Sequence, residues 1–249
     1  MNFIKNKIKK IINRREFVRG NINRNDVYGV LNKAWGHIYS NLMTGDYFEF
    51  GVYSGHSLVS SFQNYMSFLQ WNQKQLNSNE QWRIEVAKST IDYMPTFHAL
   101  DTFEGMPEND ENNIDFAKGN FSASIEDVYN SCKEVGLCEP QLRLYKGLFS
   151  DTKQDLVRDV GDRKAAIINI DCDLYFSAKE ALEICEPFLQ IGTIILFDDY
   201  NAFKADDNKG ERRAFKEFNQ KTNYRFDSWI NYFYLGQSFI CTGIKSNES

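Results

Sequence analysis

Short apolar runs alternate with amphipathic stretches along most of this chain. The runs are Tyr47–Val52, Thr96–Leu100, Gln141–Tyr145, Ala165–Ile170 and Thr193–Phe197. The last two, AAIINI and TIILF, are apolar at nearly every position rather than at every second one. Continuous apolarity of that length predicts strands buried on both faces, and strands alternating with helical patterns predict a parallel sheet covered by helices. The helix after the fourth run is the clearest: Ala178, Ala181, Leu182, Cys185 and Leu189 form one stripe that ends before Gly192. Val27 to Asn41 also reads as a helix, and the polar stretch from Gln63 to Ile91 is longer than a strand-to-strand crossover needs, so an extra helix is expected there. Beyond Lys221 the pattern changes. Tyr224–Trp229 and Tyr232–Thr242 are aromatic, strand-like and separated by a short turn, which predicts a terminal antiparallel hairpin. The fold class is α/β.

Composition adds one domain to that picture and a charge asymmetry. The chain has 249 residues, 42% of them hydrophobic and 25% charged, which is ordinary for a folded protein. The net charge of −5 gives no reason to expect nucleic acid as a partner. Residues 1–25, however, hold Lys5, Lys7, Lys9, Lys10, Arg14, Arg15, Arg19 and Arg24 against Glu16 alone, so the segment is +7 and the remainder −12. Ile4, Ile8, Ile11 and Ile12 fall at helical spacing between these charges. A solvated helix packed on its own domain or on a dimer mate is favoured over one lying on a membrane surface. The working division is an N-terminal basic, helical extension over 1–41 and one catalytic domain over 42–249. No apolar run nears the roughly 20 residues that span a bilayer, and no signal-peptide core is seen at the start. Five cysteines without a C-x-x-C pair argue against a disulfide framework and fit a reducing cytoplasm. His37, His56 and His98 are too scattered to suggest imidazole ligation of a metal or a nucleophile triad.

The chemistry-bearing residues stand where the strands end. Asp171 and Asp173 close the fourth run, and Asp198 and Asp199 the fifth. Neighbouring strands lie about 4.8 Å apart and ligands of open α/β sheets gather beyond their carboxyl ends, so Asp171, Asp198 and Asp199 are candidate oxygen ligands for Mg²⁺, Mn²⁺ or Ca²⁺. Helix capping is the competing reading of the same acids. Four carboxylates crowded together favour the cation, because like charges repel. The first strand ends as EFGVYSGHS, a glycine turn into a helix, with Tyr53 near the place where a dinucleotide cradle has its middle glycine. Asp101 ends the second strand, where a carboxylate can bind ribose hydroxyls. Glu49, the glycines and Asp101 thus describe a nucleoside site without a pyrophosphate cradle, which favours S-adenosylmethionine over NAD. The Asn- and Asp-rich stretch from Glu108 to Asn120 reads equally as a lid or as a solvated connection.

The strings EFGVYSG, LDTFEGMPE, GNFSASIEDV, YKGLFSDT, NIDCDLYFSAKEALE and LFDDY, in that order between Tyr47 and Phe218, resemble the macrocin O-methyltransferase family. The resemblance implies a Rossmann-like class I methyltransferase fold, with seven strands, mostly parallel, and a last antiparallel pair. It implies Mg²⁺-dependent methyl transfer from S-adenosylmethionine to a hydroxyl of a sugar or glycosylated small molecule, and a dimer or higher oligomer whose N-terminal helices help cover the active site. By position, Asp171, Asp198 and Asp199 match the metal ligands and Asp173 the general base. Glu49, Gly51, Tyr53, Gly55, Ser57, Asp101 and Thr102 match the cofactor-binding strand ends, and Gly147 and Phe149 the adenine side. The chain departs from the family where Lys153-Gln154 follow Asp151-Thr152 in place of Leu-Pro, and in its longer 63–91 region. Three other activities stay open: methylation of a catechol-like vicinal diol, NAD-dependent sugar modification, and a non-catalytic binding subunit.

Overall fold

The computed structural model describes residues 24–109 and 116–245. The basic segment before Arg24, and with it the expected amphipathic helix, lies outside the described residues, as does the middle of the Glu108–Asn120 stretch. The sheet contains β1 (Asp46–Phe50), β2 (Phe97–Asp101), β3 (Leu142–Lys146), β4 (Ala165–Ile170), β5 (Ile194–Phe197), β6 (Tyr224–Tyr232) and β7 (Gly236–Ile244). Its order is β3-β2-β1-β4-β5-β7-β6. Strands β1 to β5 pair in parallel, and β7 runs antiparallel to both β5 and β6. The chain winds one way from β1 to β3 and the other way from β4, so the ends of β1 and β4 flank the crevice where open α/β sheets bind ligands.

Side-chain alternation splits the core into two layers, one on each face of the sheet. Phe48, Phe50, Ile168, Ile170, Ile195 and Phe197 face helices α5 (Phe149–Val160), α6 (Tyr175–Cys185) and α7 (Gly210–Lys221). Tyr47, Phe97, Ile167, Ile194 and Leu196 face helices α1 (Val27–Ser40), α2 (His56–Gln75) and α4 (Ile125–Val135). Helix α1 starts on Asp26, whose carboxylate accepts the Gly29 amide at 3.1 Å, and it buries Val30, Leu31, Ala34, Trp35 and Ile38 in the second layer. At the amino ends of the strands, buried Asp46 takes hydrogen bonds from Thr96 N (2.8 Å) and Arg163 Nε (3.0 Å), with His98 Nε2 3.2 Å away. His98 therefore belongs to a buried network at the end of the sheet away from the crevice.

Several boundaries differ from the pattern-based reading. Strand β1 is Asp46–Phe50 rather than Tyr47–Val52, because Gly51 turns at φ 85°. The 63–91 region does supply an extra helix, but as the later part of α2 followed by α3 (Gln81–Ile91), with a break between Gln75 and Gln81. Helix α6 stops at Cys185 and tightens into a 3₁₀ turn over Glu186–Phe188, where Pro187 has no amide to continue the ladder. Strand β6 continues to Tyr232, leaving Phe233–Leu235 as the hairpin turn. Among the described residues, no helix is long and apolar enough to cross a membrane.

Candidate active site

The parallel ladder runs one residue past each strand, which brings the strand exits to one level. Gly51 N donates to Leu100 O (3.0 Å), Asp171 N to Phe50 O (2.8 Å) and Asp198 N to Ile170 O (3.1 Å). Acidic residues directly after β4 and β5 therefore emerge side by side. One carboxylate oxygen from each of Asp171, Asp198 and Asp199 lies within 4.8 Å of the other two. Asp173 follows in a left-handed conformation (φ 59°), which Asp tolerates better than most residues. It is buried beside Asp199.

Above these acids opens a cleft of about 410 Å³. Gly51, Asp101, Asp171, Asp173, Asp198 and Asp199 form its floor, and Tyr53, Phe116, Phe121, Leu148 and Phe149 its largely aromatic wall. Ser177 and Glu180, about one turn apart on α6, also line the cleft. On the far side, the described flanks of the 108–120 stretch pair through Met106 N to Asn120 O (2.8 Å) and Gly119 N to Met106 O (3.0 Å), which puts Phe116 and Phe121 on the wall. None of Phe116, Phe121, Ser177 and Glu180 has an individual role on the sequence alone, although the first lies in the 108–120 stretch and the others in the family-like strings. Their signal is weak, since an isolated aromatic or a polar helix residue is the commonest thing a surface offers.

Of the nucleotide-site residues, Gly51, Tyr53, Asp101, Thr102 and Phe149 line the cleft. Glu49, Gly55, Ser57 and Gly147 do not. Glu49 is fully buried inside the sheet, where it accepts hydrogen bonds from the Tyr47 hydroxyl and from Ser57 Oγ (2.7 Å). Gly55 starts α2 against Val128, and Gly147 passes its amide to the carbonyl of Asp101 at 3.0 Å. Asp101 reaches the cleft with its oxygens already engaged. Oδ2 accepts Val52 N (2.6 Å) and Tyr53 N (3.0 Å), and Oδ1 accepts Phe103 N (2.7 Å). Its first effect is to hold the β1–α2 turn open against the end of β2. Tyr53 adopts a left-handed φ of 45° in that turn and stands half-exposed, its ring edge-on to Phe121 at 5.8 Å. It occupies the backbone conformation in which a dinucleotide cradle uses glycine.

The electrostatics of the floor call for positive charge. Burial pushes the Asp171 carboxyl well above the usual carboxylate range, and the neighbouring Asp198 and Asp199 push it further. Burial likewise raises Asp198 to about 6, with Asp199 and then Asp26 adding to it. Asp173 is raised to about 11, first by burial and then by its hydrogen bond with Asp199. Glu49, beneath the floor, is raised to about 7 by burial despite the hydrogen bonds from Tyr47 and Ser57 that oppose it. Groups so arranged hold protons unless a cation takes their place. The donor set suits a hard cation. Three carboxylate oxygens within 4.8 Å of one another can reach a single such ion.

A residue that sequence reading missed joins the two acidic loops. Glu211, second in α7 and fully buried, accepts Cys172 N on Oε1 (3.3 Å) and Asp199 N on Oε2 (3.1 Å). Its only sequence signal is an acid in the first turn of a helix, which the helix dipole alone would account for.

The model of the TylF macrocin-O-methyltransferase family matches residues 88–228, from α3 through β6. The chain belongs to that family. Within the macrocin O-methyltransferases, one relative is the 8-demethyl-8-(2,3-dimethoxy-alpha-L-rhamnosyl)-tetracenomycin-C 4'-O-methyltransferase of Streptomyces olivaceus, 32% identical over 108 residues. That match covers 40% of this chain and 40% of the relative's length. Among solved structures, the O-methyltransferase NovP is similar over 86% of this chain and 79% of its own, with a TM-score of 0.63 at 18% identity. The calicheamicin methyltransferase CalS11 is similar over 86% and 77%, with a TM-score of 0.58 at 17% identity. These likenesses establish the Rossmann-like class I methyltransferase fold expected from the sequence motifs.

Proposed function

We propose that this protein is an S-adenosylmethionine-dependent O-methyltransferase that acts on a hydroxyl of a sugar or glycosylated small molecule and uses a divalent cation. Family membership and the sugar-linked activity named for the Streptomyces olivaceus relative support the reaction class and the acceptor. The observation that carries the site assignment is the meeting of Asp171, Asp198 and Asp199 within 4.8 Å on the floor of the cleft that Gly51 and Asp101 also line.

Methyl transfer breaks the donor's S–C bond and forms an O–C bond in line with it, and the acceptor's O–H proton must leave. Asp173, buried and lining the cleft, would receive that proton. Raised to about 11, it holds a proton itself, so a role as base requires opposing charge at the centre. Asp171, Asp198 and Asp199 would hold a divalent cation, which when bound supplies that charge and stabilises a developing alkoxide. Ser177 and Glu180 line the same cleft and would orient further acceptor hydroxyls. The apolar wall of Tyr53, Phe121 and Leu148, two aromatic rings and an aliphatic side chain, is suited to a flat base and to exclusion of water.

The deciding experiment incubates the protein with labelled S-adenosylmethionine, Mg²⁺ and a panel of free and nucleotide-linked sugars, with a catechol as the competing acceptor. Methylation of a sugar that stops in chelator is expected. Asp198→Asn should reduce turnover by about 10³-fold or more while S-adenosylhomocysteine binds within about twofold of wild type, because that carboxylate sits at the metal end of the cleft. Full activity in chelator would remove the cation from the reading, and methylation of catechol alone would replace the sugar.

A further inference from the structure

Glu211 combines a structural tie with a buried charge. Two backbone amides, Cys172 N and Asp199 N, need acceptors where the β4 and β5 exits meet, and its carboxylate gives each of them one oxygen. The chain places there a fully buried carboxylate that forms no ion pair among the described residues. Its charged neighbours are Asp199, Asp171 and Asp198, all of its own sign. Such a group is costly alone and favourable only against nearby positive charge. A second group points the same way. The Tyr232 hydroxyl, on the last residue of β6, is buried without a hydrogen-bond partner, and the charges nearest it are Asp198, Glu211, Asp171 and Asp199. A phenol donor and a fifth carboxylate thus lie within the electrostatic reach of the same acids.

We propose that Glu211 is a positioning residue of the cation centre: it ties the loop carrying Asp171 and Asp173 to the loop carrying Asp198 and Asp199, and its charge strengthens the field that holds the ion. Each of its oxygens fixes one loop, so the separation of the three ligand carboxylates depends on both bonds. The inference rests on the cation reading given above and adds a residue twelve positions beyond the last ligand, on a different element.

The test compares divalent-cation binding with donor-product binding. Mn²⁺ affinity is followed by electron paramagnetic resonance, Mg²⁺ by competition, and S-adenosylhomocysteine by calorimetry, in wild type and in Glu211→Gln. Glu211→Gln keeps the shape but loses the charge and one acceptor. Removing such a supporting group is expected to weaken Mn²⁺ binding about 10- to 100-fold, with S-adenosylhomocysteine affinity within about twofold of wild type. Glu211→Asp keeps the charge and is expected to recover part of the loss. If Glu211→Gln does not fold, Glu211→Asp carries the comparison and should bind Mn²⁺ several-fold more weakly than wild type. Unchanged Mn²⁺ affinity in a folded variant, with only the melting temperature lowered, makes Glu211 a structural tie and overturns the inference. Wild-type protein that binds no Mn²⁺ fails differently, since the centre itself is then wrong.

Discussion

A side chain on Gly51 has nowhere to go. Its Cβ would lie 1.8 Å from the carbonyl oxygen of Asp171, and the residue turns at φ 85°. The exits of β1 and β4 approach this closely because the cleft floor is built from both, so any Cβ must push the β1–α2 turn away from the Asp171 loop. Gly51→Ala is therefore expected to cost about 3 kcal/mol or more in a urea titration, combining backbone strain with overpacking. Wild-type stability in that variant would mean that the two exits are not in contact. Tyr232 makes the opposite case. Its ring packs on Gly236, where a Cβ would come within 2.4 Å of it, so the aromatic body is required by the hairpin. Its hydroxyl satisfies nothing in the fold. Tyr232→Phe removes an unpaired buried polar group and is expected to raise stability in chelator by about 1 kcal/mol. A loss of that size, read from the denaturation midpoint, would show that the hydroxyl has a partner.

At the scale of elements, the carboxylate of Asp101 sets the turn between β1 and α2. Three amides from two loops converge on it, so Asp101→Asn leaves at least one of them facing an amide NH₂. We expect a loss of about 1–3 kcal/mol together with weaker S-adenosylhomocysteine binding, measured by melting and calorimetry on the same sample. A melting temperature that falls with cofactor affinity unchanged would separate the turn from the site. What the sequence discloses about these elements follows from how local their causes are. Strands β4 and β5 are legible because both of their faces are buried, which makes their runs apolar throughout. Asp171, Asp198 and Asp199 are legible as neighbours because each stands at the end of such a run. The break between α2 and α3 is weakly marked: Leu76 to Glu80 contains neither Pro nor Gly, only the polar Asn77-Ser78-Asn79, so the pattern does not fix where one helix stops. Glu211 is hidden for a different reason. Its partners are backbone amides of Cys172 and Asp199, which carry no residue identity, and GERRAFKEF reads as an ordinary amphipathic helix with an acidic first turn. The link of Asp46 to His98 and Arg163 is likewise made by register between distant segments, not by any local pattern.

Over the whole molecule, the fold places acidic groups in its interior and so ties stability to pH and, on the proposed function, to a cation. Burial raises Glu49 from its ordinary 4.5 to about 7, and burial with Asp199 raises Asp198 from 3.8 to about 6. Raised carboxyls bind more protons folded than unfolded. Their stabilising contribution is present in full below about pH 4, and it is lost as the pH rises through about 6 to 7. Between pH 5 and pH 8 in chelator the melting temperature should consequently fall, the reverse of a protein held by salt-bridged carboxylates. A cation that binds only the folded floor works against that loss by mass action, and at a hundred times its dissociation constant it adds about 2.7 kcal/mol. Mg²⁺ should accordingly raise the melting temperature at pH 8 far more than at pH 5, where protons compete for the same oxygens. Asp198→Asn separates the two contributions: it removes one of the repelling charges, so in chelator at pH 8 the variant should melt above wild type, while the Mg²⁺-induced rise should disappear. A wild-type melting temperature that climbs from pH 5 to pH 8 in chelator, or a Mg²⁺ shift that survives in the variant, would mean that these carboxylates find their countercharge elsewhere and that the floor is not where the ion binds.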